Sequence, residues 1–100
     1  MVATDDQLLK VLRALSEPKR LEILERLKEY RCVCGGEECE ATCAQILETM
    51  SISQPTFSHH LSELVDAGLV TLRYEGRYAY LKFNPRSLQE AMGVLQSLLI

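Results

Sequence analysis

Cys32, Cys34, Cys39 and Cys43 fall within twelve residues, in the spacing Cys-x-Cys-x4-Cys-x3-Cys. Four soft donors this close can enclose one ion through three or four thiolates, at ~2.3 Å if the ion is zinc. They can also exchange between thiol and disulfide. Glu37, Glu38 and Glu40 lie among them, and their negative potential attracts a cation while opposing thiol ionisation; Arg31 acts in the opposite sense. That balance favours a metal cation over a low-pKa peroxide sensor. Arsenite arrives as a neutral hydroxide and gains nothing from the glutamates, although three thiolates suit it. The segment therefore admits arsenite, cadmium, lead or zinc as a sensed ligand, thiol–disulfide redox sensing, a structural zinc, or no ligand. A thiol oxidoreductase using Cys32 and Cys34 is disfavoured, because such enzymes place their thiols at a helix start in an electropositive setting.

A second set of reactive side chains lies in the run from Ser53 to Val70. Ser53 suits an N-cap, Pro55 is tolerated in a first turn, and Gly68 supplies a left-handed residue to end the helix. Phe57, Leu61, Leu64 and Val65 recur at helical spacing and are expected in the core. Gln54, Thr56, Ser58, His59 and Ser62 are then turned outward, as short hydrogen-bonding groups suited to base edges and phosphates. His59 and His60 point about 100° apart on a helix, so His59 is expected to meet DNA while His60 packs at the flank.

The elements that position these groups follow from local patterns. Thr4 with Gln7 suggests a capping box for a helix over 5–15, carrying Leu8, Leu9, Val11, Leu12 and Leu15; Ser16 suggests the cap of a second helix with Pro18 in its first turn. That helix is expected to bury Leu21, Ile23, Leu24 and Leu27. Arg31 to Ala41 has no sustained period and contains Gly35-Gly36, which reads as a loop. Thr42 with Gln45 suggests a second capping box, opening a short helix with Ile46, Leu47 and Met50 inward, and Ser51-Ile52 turns the chain into the run above. Two helices joined in this way form a helix-turn-helix.

After Gly68 the period changes to two. Leu69 to Tyr74 and Arg77 to Phe83, joined by Glu75-Gly76, read as a β-hairpin whose Tyr74, Tyr78 and Tyr80 are expected to pack. Arg73 and Arg77 flank its tip and are candidates for phosphate or minor-groove contact. Asn84 caps a last helix over 85–99, with Pro85 at its first position and Leu88, Met92, Leu95, Leu98 and Leu99 as an apolar stripe. Met50 and Met92 are expected in the core.

The 100 residues fit one domain over 1–100, with a cysteine-rich loop at 31–43. A domain of this size has a thin core and gains stability by pairing. The helices at 5–15 and 85–99, with the apolar end Leu98-Leu99-Ile100, are the expected homodimer interface. No apolar run approaches the ~20 residues that cross a bilayer, so no membrane partner is expected. The amino terminus also lacks the order of a secretion signal, so a cytoplasmic protein is expected. Net charge is −3, yet residues 31–53 hold one basic and four acidic groups while 54–86 hold four and three. The acidity is thus concentrated around the cysteines, and the segment assigned to DNA is slightly positive.

Three strings in order resemble the ArsR/SmtB family: Ala14-Leu-Ser-Glu-Pro-Lys-Arg-Leu-Glu-Ile-Leu24, Ser53-Gln-Pro-Thr-Phe-Ser-His-His-Leu61 and Glu75-Gly-Arg-Tyr-Ala-Tyr80. The resemblance implies a mainly α fold with a β-hairpin wing, a winged helix-turn-helix of order α-α-α-α-β-β-α. It also implies a dimeric repressor that leaves its operator when an inducer binds, commonly a metal or metalloid. Cys32-Val-Cys34 resembles the Cys-Val-Cys of arsenic-responsive members, although alignment on Ile46 and Met50 puts the family's thiol positions at Thr42 and Ala44. The His and carboxylate pairs of zinc-sensing members have no match, since residues 84–100 contain no His, Asp or Cys. The expected partner is double-stranded operator DNA, an imperfect palindrome with half-sites about one helical turn apart. A zinc-stabilised protein-interaction module without DNA binding is the alternative.

Overall fold

The computed structural model describes the backbone of residues 2–34 and 40–100 and the side chains of residues 6–30 and 40–100. Its elements are α1 (Val2–Leu15), α2 (Pro18–Cys34), β1 (Ala41–Thr42), α3 (Cys43–Glu48), α4 (Gln54–Asp66), β2 (Val70–Glu75), β3 (Tyr78–Phe83) and α5 (Pro85–Ser97). The strands form one antiparallel sheet of order β1-β3-β2. The core joins Val11 of α1, Ile23 and Leu27 of α2, Ile46 of α3, Phe57, Leu61 and Leu64 of α4, and Leu69, Val70 and Leu81. Truncating one of these to alanine costs about 2–5 kcal/mol.

Several boundaries differ from the sequence reading. Helix α1 already runs through Thr4, so Thr4 does not cap it. The cap of α2 is the Glu17 carboxylate, which accepts from the Lys19 and Arg20 amides at 2.8 and 3.2 Å; the Ser16 hydroxyl instead donates back to the Arg13 carbonyl. Helix α2 continues through Cys34, so the expected loop from Arg31 is helical at its start. At its far end Ala41 and Thr42 are strand residues, paired with Leu81 and Tyr80. Leu21, expected inside, is 44% exposed, and Met92 is 58% exposed.

Two of the later caps, at Thr42 and Asn84, form as expected. Thr42 Oγ1 accepts from the Gln45 amide at 3.1 Å while Gln45 Oε1 accepts from the Thr42 amide at 2.8 Å, and Asn84 Oδ1 accepts from the Arg86 amide at 3.3 Å. In the wing, Glu75 pairs with Tyr78, so the connecting pair is Gly76-Arg77, one residue later than expected. Gly76 has φ +62° and Arg77 is not at positive φ. That is the φ pattern of a type II′ turn, whose first central position calls for glycine.

Gly68, at φ +76°, ends α4 where three elements meet. Gln7 of α1 donates to the Ala67 carbonyl at 2.9 Å, and Asn84 donates through Nδ2 to the Gly68 carbonyl at 3.0 Å. A Cβ on Gly68 would lie 2.6 Å from the hydroxyl oxygen of buried Ser87. Only a residue without a side chain fits this junction.

Candidate nucleic-acid interface

Helix α4 begins as its sequence specifies: Ser53 accepts from the Thr56 amide at 3.3 Å and donates to Thr56 Oγ1 at 2.9 Å. Its inner face buries Phe57, Leu61 and Leu64. Gln54, Thr56, Ser58, His59 and Ser62 are all exposed, with Gln54, Ser58 and Ser62 in one stripe at i, i+4 and i+8. Val65, expected in the core with the inner residues, lies instead at the margin of this outer side, 37% exposed.

His60 faces inward and is held by the start of α2. Arg20 Nε donates to His60 Nδ1 at 3.3 Å, and His60 Nε2 lies 3.6 Å from Glu17 Oε2. An arginine can only donate, so Nδ1 is the accepting nitrogen and Nε2 carries the proton toward the carboxylate. One carboxylate thus caps α2 and anchors the middle of α4, a link between residues 43 positions apart. The sequence signal for it is no more than a glutamate two residues before Lys19.

The wing presents two chemically different faces. Arg73 lies opposite Tyr80, and its guanidinium carbon is 4.6 Å from that ring centroid. Glu40 grips the same guanidinium in a fork, accepting from Nε at 3.1 Å and Nη2 at 2.8 Å, and Glu75 accepts from Nη1. The Arg73 hydrogen bond holds the Glu40 carboxyl below the usual carboxylate range, and Arg73 itself is pushed further up. Of the two arginines singled out at the wing, Arg73 is therefore already paired on both sides. Arg77, in the turn, is exposed and has no ion pair among the described residues.

The other face carries Leu72 and Tyr74, which with Ser58, Leu61, Ser62 and Val65 line a groove of about 260 Å³ between wing and α4. Tyr74 is 74% exposed and Tyr78 53%, against the expectation that they pack. The cause is local: Tyr74 stands opposite Ala79, which offers little surface to a ring.

Of the four cysteines, only Cys43 has its side chain among the described residues. Cys43 opens α3 and packs half-buried against the core, and burial pushes its thiol pKa up, away from the thiolate form that binds metal. Cys32 and Cys34 lie in the last turn of α2, with side chains outside the described residues, and Cys39 lies outside them altogether. No group of three or more His, Cys, Asp or Glu able to hold a metal occurs among the described residues. No described helix is long and apolar enough to cross a membrane.

A helix-turn-helix domain family matches residues 15–73. The arsenical resistance operon repressor of Staphylococcus xylosus is 41% identical over 78% of this chain and 66% of its own length, just under two thirds; that of Staphylococcus aureus is 38% identical over 84% and 72%. Among solved structures, the homodimeric winged helix-turn-helix DNA-binding domain of a Mycobacterium bovis protein has a TM-score of 0.71 at 26% identity, covering 98% of this chain and 82% of that one. With α3 and α4 in helix-turn-helix order, a wing behind them and relatives this close, the chain belongs to the ArsR/SmtB family of winged helix-turn-helix transcriptional repressors.

Proposed function

We propose that this chain acts as a homodimer, inserting two copies of α4 into successive major grooves of an imperfect palindrome and releasing it when a soft metal or metalloid ion occupies the cysteine segment. Gln54, Thr56, Ser58, His59 and Ser62 read bases and nearby phosphates, and Arg77 contacts the backbone. The relatives' names, as arsenical resistance operon repressors, support an inducer of this class, with cadmium, lead and zinc as thiol-seeking alternatives.

The observation that carries the reading is the wiring of the cysteine segment. It runs from the end of α2 to the first residue of α3, and Glu40 within it is gripped by Arg73 of the wing. Positions two apart on a helix do not share a face. Capture of one ion by both Cys32 and Cys34 therefore requires the last turn of α2 to unwind, which disturbs both connections. A coupling of order 1–3 kcal/mol changes operator affinity roughly 5–150-fold, enough for a switch.

The test is DNA release by arsenite, cadmium, lead and zinc in Cys→Ser variants, alongside metal content and thiol titration of anaerobically purified protein. Variants at Cys32 and Cys34 keep DNA binding and lose release. Loss of DNA binding in every variant before any ion is added means a structural zinc. Release by oxidant alone, reversed by dithiol, means a redox switch.

A further inference from the structure

We propose that the groove between α4 and β2 seats one sugar–phosphate strand of the bound DNA, and that Tyr74 is its contact residue, its phenol donating to a phosphate oxygen while the ring covers the deoxyribose. The inference rests on the DNA-binding reading above and adds a residue to it.

The groove is continuous with the reading face. Ser58, Ser62 and Val65 follow one another at i, i+4 and i+7, so they form a single stripe along the outer side of α4, and Leu72 and Tyr74 form the opposite wall. A helix seated in a major groove has a phosphate strand along each flank. An element standing beside such a helix meets that strand. The chemistry of the walls fits it: hydroxyls on Ser58, Ser62 and Tyr74 for phosphate oxygens, and carbon surface on Val65 and Leu72 for sugar.

Charge explains why a neutral donor is used here. Helix α4 contains no Lys or Arg but does contain Glu63 and Asp66, and Arg73 projects from the other face of the wing into two carboxylates. The strand beside α4 must then be held by hydrogen bonds and apolar contact. Among the described residues the ring has only Ala79 opposite it and is left 74% exposed, open to a partner.

The probes are two labelled duplexes, one selected by the wild type from a randomised pool and one of random sequence at low salt. Tyr74→Phe removes one hydrogen bond to a charged group and weakens both complexes about tenfold, with the salt slope unchanged because no cation is lost. Arg77→Ala serves as the contrast, lowering the slope by about one. The chain has no tryptophan, so a Tyr74→Trp variant gives a single indole that iodide quenches in free protein and not in the complex. Wild-type affinity in both Tyr74→Phe and Tyr74→Ala, or an indole equally quenched with and without DNA, overturns the inference. A change in sedimentation of Tyr74→Ala, without DNA, would assign the ring to a protein interface and also overturn it. If the wild type binds neither duplex, the DNA-binding reading fails first.

Discussion

Replacing Gly68 by alanine tests the junction at the end of α4. The backbone there is at φ +76°, and holding an L-residue in that region costs about 1–2 kcal/mol. The new Cβ would meet the Ser87 hydroxyl oxygen at 2.6 Å, with Gln7 Nε2 and Ser87 Cβ each at 3.6 Å. Ser87 is buried and has little room to yield, so overpacking adds about 1–3 kcal/mol. The sum is about 2–5 kcal/mol, a large part of the ~5–15 kcal/mol that stabilises a typical domain. Urea unfolding measures it, at one fixed protomer concentration because assembly adds to apparent stability. Ser87→Ala separates the two parts: without the hydroxyl the nearest atoms are at ordinary contact, so the double variant recovers the packing part of about 1–3 kcal/mol as coupling energy. A Gly68→Ala protein within about 0.5 kcal/mol of wild type refutes the reasoning. So does a double variant whose cost equals the sum of its singles.

Two further outcomes follow from the surface. Glu40 has its pKa lowered by Arg73, so the pairing contributes above the ordinary carboxylate range and is lost as pH falls through the depressed value; carbon-detected NMR titration places its inflection below that of a free glutamate, and Arg73→Ala restores it. Met92→Glu and Leu98→Glu place charges on exposed positions of α5 and its C-cap; if this apolar stripe is the dimer face we propose, the protomer keeps its helical content while sedimentation equilibrium shows loss of the dimer.

Local interactions were the most legible part of this fold. The Thr42, Ser53 and Asn84 caps, the glycine after α4 and the period-two strands are each decided within a few residues. The continuation of α2 past Arg31 was not legible, because the sequence there has no sustained apolar period. Strand β1 has only two residues and owes its existence to pairing with β3, so no pattern of its own announces it. The Glu40–Arg73 grip spans 33 positions and the Glu17–His60 contact 43, beyond any local signal. Tyr74 reads as a packing residue because aromatic alternation suits a strand; which face remains uncovered depends on how the sheet meets α4.

The two anchors of α4 make it a lever. Its carboxyl end is pinned at Gly68 by α1 and α5, while its middle is held through His60 by the start of α2, whose other end carries Cys32 and Cys34. Helix α2 is then a push-rod about 25 Å long. His60 is eight residues from the pivot and Gln54 fourteen, or about 12 and 21 Å at helical rise. A shift of ~1 Å delivered at His60 swings Gln54 by ~1.8 Å, enough to carry a hydrogen bond out of range. Mechanical gain is thus greatest at the amino end of α4, which carries Gln54 and Thr56.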